Sequence, residues 1–377
     1  MNSPTTICTA AELAFAVYAT LQLGENTSKI IRTADEADMR PALAEAIASQ
    51  YRVIAILDDV ASGAYAAVFE DKVSGERTLA IRGTTDLKDI AADTYVLSGT
   101  PPSLNPQYQA LASQVIAWQA QRIVGAATAV TGHSLGGYLA TALKSNSAVS
   151  LGSATTFNAP GLGSAVGSLS EFFQNVFGLS ALSTDVLDVR GSAGLSLIAG
   201  LGQHWGTEVP VEIEAAAGVG LGNHVISSLT SSLAVMRMWS VLDPTLTVDR
   251  ANQLIASASD TSASSLEKSV EATLRLLTGP VAPANIATGD VDALYTHLLT
   301  LTAQDALGAY THPAVATLAS HLRIDLGGIA LAATARTDFS ALVSLISLSP
   351  LVLSGTDAQG RSALDSVLQG AWGDAWG

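Results

Sequence analysis

Residues 126 to 143 read AATAVTGHSLGGYLATAL, and no other stretch constrains the fold as tightly. Thr128-Ala129-Val130 is a short apolar and β-branched run, while Tyr138 to Leu143 is good helix material. Between them stand Gly132, Ser134, Gly136 and Gly137. Glycines at those places let a strand turn sharply into a helix, because the two backbones approach where a Cβ would not fit. A serine at the apex has its oxygen pushed clear of the surrounding chain. The backbone N–H of Leu135 then points to where a carbonyl oxygen would gather negative charge. With 32 glycines in the chain the bare Gly-x-Ser-x-Gly spacing is a weak signal, and the strand before it and helix after it supply the weight. Ser134 is the candidate nucleophile and Leu135 a candidate oxyanion donor.

The flanking sequence extends the pattern. Residues 10 to 23 and 35 to 51 read as helices. YRVIAIL, GAYAAVFED and ERTLAIRG read as strands, with KVSG as the hairpin turn between the last two. In NPQYQALASQVIAWQAQR, Tyr108, Leu111, Val115 and Trp118 fall at helical spacing. ATTFNAPG and DVLDVRG are further strands after the serine turn. Strands and helices alternating in this way imply an α/β fold with a mainly parallel sheet covered on both faces. From about residue 246 strand-like runs disappear. SSLEKSVEATLRLL places Leu266, Val270, Leu274 and Leu277 on one helical face, and helices are also expected over 290–303, 314–322 and 338–348. The expected domains are 1–245 and a helical C-terminal region, 246–377.

Composition narrows the partners. The net charge of −15 argues against nucleic acid or an anionic membrane as an electrostatic partner. The single cysteine, Cys8, excludes an internal disulfide and reads as a small buried residue, with no motif to make it a catalytic thiol. The N-terminus has no basic segment and carries Glu12 within its apolar stretch, so it reads as an amphipathic helix rather than a secretory signal. The longest apolar tract, GLSLIAGLG, is too short to span a membrane. Histidines and carboxylates do not cluster at metal-ligand spacing, and no cofactor motif is present.

These stretches resemble the class 3 lipase family of α/β-hydrolases. TLAIRGTTDLKDIAADTYV is similar to that family's Arg-Gly-Ser/Thr segment, VTGHSLGG to its nucleophile motif, and TFNAPG to the strand that follows. The resemblance spans about residues 75 to 162. It implies an α/β-hydrolase fold, Thr84 as a second oxyanion donor and Asp93 as a structural acid. GLGQHWGTEVPVEIE, NHVISSLTSSLAVM and LDPTLTVD resemble the lipase-like region of bacterial repeats-in-toxin proteins, although the nonapeptide calcium repeats are lacking. That relation implies a bacterial protein exported without an N-terminal signal, with the cytoplasm as the alternative.

A serine nucleophile needs a histidine base, which α/β-hydrolases place late in the chain. His133 adjoins the serine and is expected to face away, as a structural residue. His297, His312 and His321 lie in the C-terminal region. The residues leave His204 and His224 as candidates, and the resemblance matches His224 to the family's catalytic histidine. The acid is less clear, because the family's position past the strand DVLDVRG falls here in GSAGLS, which has no carboxylate. Asp188 is the nearest candidate, with Asp185, Glu208 or no acid at all as alternatives.

The expected function is carboxylic-ester hydrolysis, as a lipase or esterase, through an acyl-enzyme on Ser134. The alternative is a hydrolase scaffold that has lost efficient catalysis and serves as a binding module of a larger exported protein. The expected partner is an ester or lipid, met across a lipid interface by a lid formed from residues 84–97 or 161–182.

Overall fold

The computed structural model describes residues 3–32, 39–84, 104–162, 185–192, 204, 206–213, 224–258, 266–267, 269–271, 273, 291–302, 321–326, 333, 336–337 and 351–366. The chain divides into two compact units, Thr9–Thr230 and Met1–Cys8 with Ser231–Gly377.

The unit Thr9–Thr230 is built on an eight-stranded sheet whose spatial order follows the chain. Its strands are β1 (Gly24–Glu25), β2 (Tyr51–Asp59), β3 (Ala64–Asp71), β4 (Arg77–Ile81), β5 (Ala129–His133), β6 (Ala154–Phe157), β7 (Val186–Gly191) and β8 (Thr207–Val211). Neighbours from β1 to β4 pair antiparallel, and those from β4 to β8 pair parallel. The hairpin joining β3 and β4 turns where the sequence expects. Asp71 Oδ1 accepts from the N–H groups of Val73 and Ser74, and Gly75 takes φ +72°.

Parallel neighbours need crossovers, and helices lie on those from β4 to β5 and from β5 to β6. Helix α4 (Pro106–Ala120) leads into β5; Asn105 caps it, its side chain accepting from the N–H groups of Gln107 and Tyr108. It buries Tyr108, Leu111, Val115 and Trp118, the face expected from their spacing. Helix α5 (Leu135–Lys144) follows β5 and is buried from Leu135 to Leu143. The shared core packs Leu79, Ile81 and Val130 of the sheet against Tyr138, Leu139 and Leu143 of α5 and Leu111, Val115 and Trp118 of α4.

Three further helices lie nearer the N-terminus: α1 (Pro4–Ala16), α2 (Ser28–Arg32) and α3 (Pro41–Gln50). Helix α1 begins and ends earlier than its apolar pattern implies. Ser3 Oγ accepts from Thr6 N–H and Pro4 opens the first turn, a start signal that precedes the apolar run.

After β8 come α6 (Ile226–Leu242), α7 (Val248–Ala258) and α8 (Val291–Thr302), then the strands β9 (Leu322–Leu326) and β10 (Leu351–Gly355). The C-terminal region thus adds an antiparallel strand pair to its helices. In Leu322-Arg323-Ile324, Leu322 and Ile324 are buried and Arg323 is exposed, a period of two within a run too short to stand out in a helical context. Asp243, buried at the end of α6, accepts from Thr245 and from the Ile324 N–H, fastening β9 to the helix end. Leu266 and Val270 are buried as expected of a helical core face. Leu274 and Leu277 lie outside the described residues, as do 314–320 and 338–348 of the expected helices.

Candidate active site

Ser134 stands between β5 and α5 with φ 56° and ψ −127°, a conformation that a residue with a Cβ rarely adopts. Its neighbours hold it there. Ser134 N–H donates to the Phe157 carbonyl at the end of β6, and the Ser134 carbonyl accepts from Gly137 and Tyr138 in the first turn of α5. Helix and strand are so close that a Cβ on Gly136 would press on the Ile81 carbonyl and lie 2.9 Å from the Arg82 carbonyl carbon. A Cβ on Gly137 would lie 2.6 Å from the Ala159 Cβ. This is the sharp strand-to-helix turn that the glycine spacing implies.

Two of the expected site residues come together directly. His224 Nε2 lies 2.9 Å from Ser134 Oγ, across 90 residues of sequence. Ser134 Oγ is thus hydrogen-bonded to an imidazole that burial, and secondarily the neighbouring His133, hold well below the usual histidine pKa. The ring is therefore neutral at pH 7 and can take a proton.

Thr84 follows β4 by the segment Arg82-Gly83, which lies against the serine turn. A Cβ on Gly83 would lie 2.6 Å from the His133 carbonyl oxygen and 3.4 Å from Gly136 N. The Thr84 hydroxyl is buried and has no hydrogen-bond partner among the described residues. Leu135 opens α5, where the first N–H groups have no acceptor within the helix. Both donors proposed from the sequence thus sit beside the turn.

Asp188 is not brought to His224. Its carboxylate oxygen Oδ2 accepts from Arg190 Nε at 2.9 Å, Arg190 Nη2 at 2.6 Å and His204 Nδ1 at 3.0 Å. Register explains why. Asp188 pairs with Thr156, which pairs with Gly132, so all three point to the sheet face covered by α5. There Thr156 Oγ1 lies 3.4 Å from Asp188 Oδ1. His204, the alternative base, enters from the amino end of β8 and is held by Asp188 rather than by Ser134. Asp185 lies 3.9 Å from Lys144 at the start of β7, and Glu208 lies 3.5 Å from Arg190. Asp93 and residues 193–196 lie outside the described residues. So do both stretches put forward as lids, apart from Thr84, Gly161 and Leu162.

His133 departs from expectation. Gly132 faces α5, so the next residue of the strand points to the other face, and there the His133 ring packs 4.9 Å from the His224 ring. Sequence reasoning also missed Asn158 and Tyr18. Asn158 takes φ 45°, donates to the His224 carbonyl at 3.1 Å and accepts from Gly191 N–H at 3.0 Å. Its signal was an asparagine directly after a strand, the residue type that best tolerates positive φ after glycine. Tyr18, placed by the sequence inside the first helix, lies beyond that helix's end with its hydroxyl 3.1 Å from His133 Nδ1. Among the described residues no group of His, Cys, Asp and Glu could hold a metal ion.

A mainly parallel sheet with a strained serine turn at the carboxyl end of one strand, and a histidine supplied after the last strand, is the α/β-hydrolase arrangement. Residues 9–168, which include Thr84 and Ser134 but not His224, match the phospholipase-like family described as the Tle-like phospholipase domain. Among solved structures, the chain is similar to the Lip2 lipase from Yarrowia lipolytica. The two are 19% identical over 58% of this chain and 82% of that one, with a TM-score of 0.38. For a triacylglycerol lipase from Penicillium expansum the figures are 16%, 55%, 79% and 0.37. No curated protein sequence matches.

Proposed function

We propose that this chain hydrolyses carboxylic esters of lipids, phospholipids foremost, with Ser134 as nucleophile and His224 as base. The observation that carries the reading is the 2.9 Å hydrogen bond between a buried serine at φ 56° and a neutral histidine. The match of residues 9–168 to a phospholipase-like family directs the choice of ester.

In the proposed reaction Ser134 Oγ attacks the ester carbonyl carbon while its proton passes to His224 Nε2. The carbonyl oxygen becomes an oxyanion and is met by the N–H of Leu135 and by Thr84, whose hydroxyl has no hydrogen-bond partner among the described residues. His224 then protonates the leaving alcohol, and the acyl group remains on Ser134. Water attacks the acyl-enzyme, gives its proton to His224, and the carboxylic acid departs as Ser134 recovers its hydrogen. Asp188, bound to Arg190 and His204, has no part in this sequence.

The test compares wild type with Ser134→Ala on p-nitrophenyl esters from acetate to palmitate and on phosphatidylcholine vesicles with free fatty acid as readout. Hydrolysis that disappears in the variant is expected, and the chain-length profile separates lipase from esterase. Wild type no faster than the variant on every substrate would overturn the reading and leave the binding module in its place.

A further inference from the structure

The inference rests on Ser134 and His224 as a nucleophile–base pair and concerns how the base is held. His224 lies ahead of α6, outside any strand, so no sheet ladder fixes its backbone. Instead its main-chain oxygen receives two donors from the ends of two strands. His133 Nε2, from β5, lies 2.6 Å away, and Asn158 Nδ2, just past β6, lies 3.1 Å away.

Proton counting sets the direction of every bond in this group. Gly83 N–H can only donate, so the Tyr18 hydroxyl oxygen accepts from it at 3.2 Å. The His224 carbonyl can only accept, so His133 Nε2 carries the proton, and in a neutral ring Nδ1 then accepts from the Tyr18 O–H at 3.1 Å. Burial keeps the ring neutral by lowering its pKa to about 4. Asn158 is oriented in the same way. Its Oδ1 accepts from Gly191 N–H at 3.0 Å, which turns the amide NH2 group toward His224.

We propose that His133 and Asn158 are positioning residues that clamp the His224 main chain, and through it the imidazole, at its 2.9 Å hydrogen bond to Ser134. Tyr18 ties the clamp to Gly83, the residue before the oxyanion donor Thr84. The base and the oxyanion segment are thereby referenced to one set of hydrogen bonds. The histidine of Gly-His-Ser-Leu-Gly is not a spacer: its ring stacks 45° off the His224 ring and its proton holds the His224 backbone.

Two kinds of measurement test this in the full chain. The first is kinetic, on p-nitrophenyl butyrate with Tyr18→Phe, Asn158→Ala and His133→Gln. Tyr18→Phe and Asn158→Ala are expected to lower kcat about ten- to a hundredfold with KM changed less than about twofold, since a misplacement near 1 Å costs up to about a hundredfold. His133→Gln keeps an N–H donor and is expected to retain more kcat than His133→Leu. The second needs no turnover. Long-range 1H–15N correlation spectra of histidine-labelled protein, assigned with His133→Gln, should report a single Nε2–H tautomer for His133 that becomes mixed in Tyr18→Phe. A His133 in the Nδ1–H form, or variants that leave both tautomer and kcat unchanged, would overturn the clamp. If wild type matches Ser134→Ala on esters while the tautomer result holds, the hydrolase reading fails and the hydrogen-bond clamp stands.

Discussion

Ser134 is held at φ 56° and ψ −127°, and two substitutions separate the cost of that conformation from the loss of its hydroxyl. Ser134→Ala and Ser134→Gly both remove the hydrogen bond to His224, so that term cancels between them. They differ in the backbone. Alanine keeps the Cβ and therefore the strain, worth about 1–3 kcal/mol for a residue in so sparsely populated a region. Glycine releases the strain but is more disordered when unfolded, a penalty of about 0.5–1 kcal/mol relative to alanine. The balance favours the glycine variant by about 1 kcal/mol, the reverse of the order expected at an ordinary helical or strand position. Urea unfolding followed by circular dichroism measures this directly, and a melting difference of about 2–4 °C should accompany it. An alanine variant as stable as the glycine variant, or more so, would refute the claim that the serine turn stores strain. Neither variant should hydrolyse esters, so Ser134→Gly is expected to be more stable than Ser134→Ala and equally inactive.

Gly136→Ala should destabilise the protein by about 3 kcal/mol, since the added Cβ meets the Ile81 carbonyl, which is backbone and cannot swing aside; an unchanged urea midpoint would contradict it. His133 titrates at about 4 when folded and near 6.5 when unfolded. Its folded pKa is depressed, so its contribution is full above pH 6.5 and lost as pH falls toward 4, about 3 kcal/mol in all. The slope of stability against pH should be shallower in His133→Gln, and parallel curves would sink the assignment. Because His224 is also held below its usual pKa, the acid limb of kcat/KM should fall below pH 6.5; a limb at or above that value would show the resting base to be solvated. Asp188→Asn breaks a buried pair with Arg190 and should cost about 3 kcal/mol of stability. Its turnover while folded should stay close to wild type, whereas loss of a triad acid would lower it about 10⁴-fold.

The parts of this molecule that can be read from sequence are those set by local chemistry. The turn at Ser134 was legible because its glycines, its preceding β-branched run and its following helix formers all lie within eighteen residues. The strand DVLDVRG and the face of α4 were legible for the same reason. His224 was reachable only as one of two candidates from the residues themselves, because nothing local marks a histidine that meets a serine 90 residues away. Asp188 misled because the chain gives its position along β7 but not its face. The register with Thr156 and Gly132, which turns it toward α5, is a property of the assembled sheet. Tyr18 was hidden by a helix placed too late in the sequence. β9 was hidden by brevity.

Strand order in the large sheet follows chain order from β1 to β8 without a reversal. Each strand can therefore dock on the edge left by the one before it, and a chain emerging from its N-terminus can extend the sheet in sequence. Ser134 and the strands that support it are in place once β6 has docked, but His224 follows β8 and arrives 90 residues after the serine. The hydrogen bond between them is the last event of such an assembly. A nascent or C-terminally truncated chain would carry a fully formed serine turn and remain unreactive, which makes the Ser134–His224 contact a natural report of completed folding.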